Sequence, residues 1–261
     1  MTSWNVWWRF GPDWRRRERG ILATLDALHP DLVGLQEVWG AEDTTQAEVL
    51  GRELGMHSVF GAPSLPPPPD HPESADQVGI QVGVAVLSRW PVTQVRKHAL
   101  PSRKVAPTVA LDVTVAHPSG PMHVLAACVD WERDLAALHL AQTRALAALL
   151  ADPSLDGPMP VLLTADLNAP PDTPQIRALT DVMVDAWVAA GGDAETGHTL
   201  SSTNPLAPRE AWQIDHRIDY VMARPGNSGG QLNVERAFLA GDPHAGSYPS
   251  DHYAVVADLR T

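Results

Sequence analysis

Apolar and polar positions follow two rhythms along this chain. In "RRRERGILATLDALHP" the residues Ile21, Leu22, Leu25 and Leu28 recur at helical spacing, and Pro30 stops the helix they define. "DLVGLQEVW" follows as a short apolar run, read as a strand ending in Glu37. "TTQAEVLGRELG" returns to the helical rhythm, with Gly55 just past its end. Residues 64–77, "SLPPPPDHPESADQ", suit no regular element and predict a surface loop of polyproline character. "VGVAVLSRWPV" reads as a strand, and "TVALDVTVAHPSGPMHVLAACVDW" as a hairpin turning at His117–Pro121. A helix from about Asp134 to Leu150 precedes the strand "VLLTADLN", and "HRIDYVMA", "VERAFLA" and "YAVVADL" predict three more strands. No linker or short-period repeat divides the sequence, so residues 1–261 are expected to form one α/β domain with mixed sheets.

Several of these strands are apolar in the body and polar at one end. Asn5 sits in "SWNVW", Glu37 in "LQEVW", Asp166 and Asn168 in "TADLN", Asp219 in "RIDYV", and Asp251 and His252 in "SDHYAVV". Alternation along a strand points Asp166 and Asn168 the same way and sends Leu167 into the core. One carboxylate at a strand end is usually a turn or cap residue; five such ends in one chain call for another reason. Carboxylates and amides are the hard oxygen ligands that Mg²⁺ or Mn²⁺ prefers. Such an ion polarises a phosphoryl oxygen, a carboxylate can orient an attacking water, and histidine can stabilise charge or move a proton. There is no His/Cys spacing typical of zinc, no G-x-S-x-G elbow and no Walker-type glycine loop. The inventory suits water attacking a phosphate ester with metal help.

Composition narrows the picture. The chain is 44% hydrophobic and 19% charged, with no apolar run of membrane-spanning length and no signal-peptide pattern at "MTSWNVWWRF". Cys128 is the only cysteine, which excludes an internal disulfide and makes a cytoplasmic location the simplest expectation. A net charge of −12 argues against a general electrostatic grip on nucleic-acid phosphates. The basic run "WRRRER" is read either as solvated charges of a first helical turn or as a local phosphate-facing patch.

The order of Asn5, "LQEV", "ADLN", "RIDYV" and "SDH" resembles the endonuclease/exonuclease/phosphatase superfamily, with its deoxyribonuclease I-like fold, from residue 4 to residue 259. The resemblance implies a four-layer α/β/β/α sandwich of two mixed β-sheets, with the site at one edge. It implies that Glu37 holds a divalent metal, Mg²⁺ or Mn²⁺, with Asn5 beside it and Asp251 near it. Asp166 would orient or deprotonate the water, and Asn168 would hold the water or a phosphate oxygen. His252 would contact the phosphate, its ring fixed by Asp219. "GHTLSSTNPLA" resembles a Thr…Asn-Pro loop of small phosphodiesterase members, which makes Thr199 and Asn204 candidate substrate contacts.

Two departures bear on the substrate. Where family members usually carry a histidine before the long helix, this chain has Cys128, read as a small buried hydrophobe or a specialised substrate contact. His139 and His123 are the imidazoles that could replace it. Trp7 stands where some apurinic nucleases have an acidic residue, and Trp4, Trp7, Trp8, Trp14, Trp39 and Trp131 fall near the expected site edge. Core packing accounts for most of these rings, and an aromatic-lined pocket, with Trp7 a candidate contact, for the rest. The expected partner is a phosphoester, small molecule or nucleic acid, without an obligate protein partner. The alternative is a catalytically altered binding or scaffold protein, or an enzyme of a specialised pathway substrate.

Overall fold

Each of the two β-sheets is built around one parallel pair of strands flanked on both sides by antiparallel ones. A computed structural model describes residues 1–103, 107–227 and 232–260. The first part of the chain gives β1 (Thr2–Asn5), α1 (Trp14–Leu28), β2 (Leu32–Gly40), α2 (Gln46–Leu54), β3 (His57–Gly61) and β4 (Gln81–Ser88). The middle gives β5 (Val92–Ala99), β6 (Val109–His117), β7 (Gly120–Cys128), α3 (Ala136–Leu150) and β8 (Val161–Asp166). The last part gives α4 (Pro174–Thr180), β9 (Val184–Asp185), α5 (Ala186–Ala189), β10 (Asp219–Arg224), β11 (Asn233–Ala240) and β12 (Ala254–Arg260). One sheet has the order β11-β12-β1-β2-β4-β3 and the other β5-β6-β7-β8-β10-β9. β1 and β2 run parallel in the first, β7 and β8 in the second, and the remaining pairs are antiparallel.

The helices form where the sequence supplies their ends. Thr45 and Glu48 make a reciprocal capping box at the start of α2, and Gly55 ends it in the left-handed conformation. α1 contributes Ile21 and Leu25, and α2 Ala47 and Leu50, to a buried layer against Trp4 and Leu35 of the first sheet. On the far side, Leu146 and Leu150 of α3 and Ile176 and Leu179 of α4 pack on Leu163 and Tyr220 of the second sheet. Between the sheets lie Val84, Val86, Leu111, Val113, Val124 and Leu162, so the molecule has the four layers α/β/β/α. The sheets come close at Gly34, where an added Cβ would stand 1.7 Å from Thr164 Oγ1.

Three sequence expectations are corrected. "VGVAVLSRWPV" is two strands in different sheets, β4 and β5, separated at Arg89–Pro91, because Pro91 cannot continue the ladder. β2 does not end at Glu37 but continues to Gly40 through an irregularity in its pairing with β4 between Leu35 and Val38. The strand "VLLTADLN" stops at Asp166, and Asn168 lies beyond it with φ of 47°.

This topology gathers the polar strand ends. The parallel pairs bring the C-terminal ends of β1, β2, β7 and β8 to one edge. β10 runs antiparallel to β8 with Asp219 opposite Asp166, and β12 runs antiparallel to β1, so their N-terminal ends reach the same edge.

Candidate active site

Asn5, at the end of β1, organises the edge. Its Nδ2 donates to Glu37 Oε1 and to Asp166 Oδ2, each at 2.9 Å, which ties the two sheets together through one amide. Its Oδ1 accepts the Trp7 backbone N–H at 3.0 Å. Asn5 thus stands beside Glu37, with its amide fixing two carboxylates and a turn. Glu37 is aimed at this edge by the irregularity in β2, where it adopts a φ of 53°. Asn168 likewise reaches the edge through a left-handed turn rather than by strand alternation. Asp166 Oδ1 accepts the Asn168 backbone N–H at 3.0 Å, and Asn168 Nδ2 donates to the Val129 carbonyl at 3.0 Å.

His252 Nδ1 donates to Asp219 Oδ2 at 2.8 Å, and both residues are buried. That bond fixes the ring's orientation and leaves Nε2 as its working nitrogen. A ring nitrogen of His252 and one oxygen each of Asp166 and Asp219 lie within 4.8 Å of one another. Asp251 follows Ser250, whose hydroxyl donates to the Asn5 carbonyl at 2.7 Å and holds this turn against β1.

The edge is dense in buried acid. Burial raises the Glu37 carboxyl to about 8, helped by Asp251 and opposed by Asn5. Burial also raises Asp166 to about 7, helped by Asp219, and shifts Asp251 upward. For His252 burial works against the imidazolium, but Asp219 and Asp251 outweigh it and hold the ring protonated well above its usual range. Arg17 of "WRRRER" lies buried beneath the site, where burial lowers its guanidinium to about 10. It donates to the carbonyls of Val6, Trp7, Trp8, Phe10, Pro12 and Pro249. Of the run's other arginines, Arg15 pairs with Asp76 at 2.6 Å and Arg16 bonds the Ala245 carbonyl. Arg15, Arg16 and Arg19 are exposed in the first turns of α1, as solvated helix charges would be, and Arg17 alone is turned inward to serve the protein's own backbone.

A cavity of about 640 Å³ opens over this edge. Glu37, Asp166, Asn168, Asp251 and His252 form its polar side, and Cys128 lies among them. The Cys128 thiol is buried, and burial, with Asp166 and Glu37 adding to it, pushes its ionisation well up, so it meets the cavity as a neutral, apolar group. Five residues expected as contacts at the site are not among those lining the cavity. Thr199 Oγ1 accepts the N–H groups of Ile218 and Asp219 at 3.0 and 3.1 Å, and so sets the start of β10. Asn204 Nδ2 donates to the Ser250 carbonyl at 2.9 Å and steadies the turn bearing Asp251. Trp7 lies under Arg17, 4.7 Å from its guanidinium, and against Gly11. His139 bonds the Leu167 carbonyl at 2.8 Å, while His123 sits with Thr114 and Asp112, so neither imidazole replaces the missing one.

Two cavity residues carry no strand-end signal in the sequence. Trp212 and Gln213 come from the irregular stretch before β10, whose only visible mark is the tryptophan itself. Trp212 Nε1 donates to the Trp131 carbonyl at 2.9 Å, and Gln213 Nε2 reaches Asn168 Oδ1 at 3.4 Å. Of the six tryptophans expected near the edge, Trp131 lines the cavity; Trp4 and Trp8 are core residues, and Trp14 and Trp39 meet edge to face with the Arg9 guanidinium over both.

A cavity lined by carboxylates and a carboxylate-held imidazole has the chemistry that metal-assisted hydrolysis of a phosphoester requires. Residues 2–252 match the Endonuclease/Exonuclease/phosphatase family, and the chain belongs to it: it is a divalent-metal-dependent hydrolase of phosphoester bonds. Among solved structures, truncated Caenorhabditis elegans TDP2 is similar at 17% identity and a TM-score of 0.77, covering 100% of this chain and 96% of that one. An endonuclease/exonuclease/phosphatase from Beutenbergia cavernae DSM 12333 is 25% identical with a TM-score of 0.75, over 99% of this chain and 70% of that one. D. rerio TDP2 complexed with single strand DNA product is 16% identical with a TM-score of 0.75, over 100% and 98%. No curated protein matches the chain in sequence. Among the described residues no helix is long and apolar enough to cross a membrane.

Proposed function

We propose that the chain hydrolyses a small phosphoester by in-line attack of water at the cavity floor, with Asp166 and His252 on the reacting group. The observation that carries this reading is the pairing of two units. One is the Asn5-bridged Glu37 and Asp166, and the other is the Asp219–His252 pair beside them. Asp166 accepts the proton of the attacking water. Its carboxylate is held in place by Asn5 Nδ2 and the Asn168 N–H, so it keeps its orientation as the proton arrives. Asn168 has one N–H committed to Val129 and its oxygen facing Gln213, which leaves the other N–H for a phosphoryl oxygen. His252, kept as imidazolium by Asp219, faces the charge that grows on the phosphoryl group.

The donor set suits a divalent cation. Glu37, Asp166, Asp219 and Asp251 bring four carboxylates together, while Arg17 spends its hydrogen bonds on carbonyl groups. Asp219 Oδ1 is buried and accepts no hydrogen bond among the described residues. Glu37 would hold Mg²⁺ or Mn²⁺ with Asp251 near it, since Asp251 is the carboxylate whose charge bears most on Glu37. The compact Asp166, Asp219 and His252 group is better read as catalytic, because the Asp219–His252 bond already occupies it. The cation supplies neutralisation of the negative charge that develops on the phosphoryl oxygens.

The test is hydrolysis of a chromogenic phosphodiester with Mg²⁺ or Mn²⁺. Asp166→Ala and His252→Ala are each expected to lose about 10³-fold in turnover with the fold retained by circular dichroism. Unchanged turnover in both variants overturns the assignment.

A further inference from the structure

Part of the cavity lining has a different chemistry from the carboxylates. Trp131, Trp212, Pro66, Pro208, Leu200 and Ile218 contribute its apolar surface. The only polar side-chain atoms among these six are the two indole nitrogens, and Nε1 of Trp212 is already paired to the Trp131 carbonyl. Trp212 therefore offers a ligand its ring and nothing else, so the group it meets must be flat or apolar rather than a phosphate or a sugar hydroxyl. The wall is also fixed relative to the floor. Gln213, the next residue, is buried and spans from Asn168 Oδ1 to the Trp131 carbonyl at 3.4 and 3.5 Å. A phosphoryl group at Asn168 and a ring at Trp212 would thus belong to one molecule.

The surroundings speak against a polymer. Arg133, whose guanidinium stands 5.5 Å over the Trp212 ring, and Glu210 line the cavity as one charge of each sign, and Arg209, Glu132 and Asp134 are exposed next to them in sequence. That mixture offers no cationic track for successive phosphates, and the net charge of −12 adds none. A volume of about 640 Å³ suits one small molecule.

We propose that Trp212 and Trp131 are the specificity wall of this cavity, and that its substrate is a small phosphoester carrying one flat aromatic group that lies on them. This inference rests on the phosphoesterase reading of the same site, which places the phosphoryl group at the floor.

Calorimetry with Mg²⁺ present, using phenylphosphonate, methylphosphonate and thymidine 5′-phosphate, tests it directly. The wild-type protein is expected to bind phenylphosphonate at least tenfold more tightly than methylphosphonate. Trp212→Leu, which keeps apolar bulk and removes the ring, is expected to reduce that advantage below threefold; Trp212→Phe is expected to keep it. Equal binding of the two phosphonates by the wild-type protein overturns the proposal, as does an undiminished advantage in Trp212→Leu. Tighter binding of thymidine 5′-phosphate than of phenylphosphonate assigns the ring to a nucleobase, and the reverse order assigns it to a phenol-like alcohol. A 20-nucleotide single strand that outcompetes both at 0.2 M salt overturns the small-molecule assignment. The two readings fail separately. A chromogenic diester left uncut, with the phenyl advantage intact, overturns hydrolysis and keeps the wall; a diester cut without any phenyl advantage does the opposite.

Discussion

The two parallel pairs at the centres of the sheets are built alike and end differently. In one sheet the first strand of the pair, β1, ends on Asn5; in the other the corresponding strand, β7, ends on Cys128. Each stands beside a strand that supplies an acid, Glu37 in one case and Asp166 in the other. The amide spans both acids with two hydrogen bonds, whereas the thiol belongs to the apolar layer between the sheets. One strand end is thereby a polar bridge between acids and the other a buried apolar plug beside them. The lesson is that a polar site needs polar residues only where charge must be held in place, and that an apolar strand end can shape the rest.

Breaking the polar half is expected to cost most. Asn5→Ala frees both carboxylates and leaves the Trp7 N–H without its acceptor, so turnover should fall about 10- to 100-fold, measured as kcat on a chromogenic diester. Thr199→Val removes the oxygen that accepts two buried N–H groups at the start of β10. It should lower stability by about 2 kcal/mol in urea unfolding, and Thr199→Ser should restore it.

The buried acids also make stability depend on pH. Glu37 and Asp166 are raised from 4.5 and 3.8 to about 8 and about 7, so the unfolded chain releases their protons more readily than the folded one. Their stabilising contribution is complete below the unfolded values and is lost as pH rises through the folded ones. Without divalent cation, Tm should fall between pH 5 and 8, roughly the window set by those shifts, and added Mg²⁺ or Mn²⁺ should recover most at the alkaline end. A Tm flat across this window in chelator contradicts the charge arrangement. Cys128→Ala should have the smallest effect, about 1 kcal/mol of stability from the small void it leaves and a few-fold at most in kcat/KM. A loss as large as that of Asn5→Ala would show that the thiol contacts the reacting group.

What the sequence makes legible follows the same division. Glu37, Asp166, Asp219, Asp251 and His252 stand out because a polar residue at the end of an apolar strand breaks a pattern, and the fold then collects them. β3 and β5 do not stand out as strands, since they are edge strands with partly exposed side chains and β5 reads "VTQVRKHA", with five polar residues in eight. Trp212 and Gln213 are hidden for another reason: they sit in a stretch held by turns, where no periodicity exists to be broken. Thr199 and Asn204 are visible as residues but not in role, because a hydroxyl or amide that satisfies backbone groups looks the same in sequence as one that touches a ligand.

Trp4, one residue before Asn5, donates from its indole to the carbonyl of His252, 248 positions later, and β1 takes its place between β2 and β12. The turn that carries Asp251 and His252 is thereby anchored on β1, so a break in the β1–β12 pairing would release the imidazole and a carboxylate from the site together.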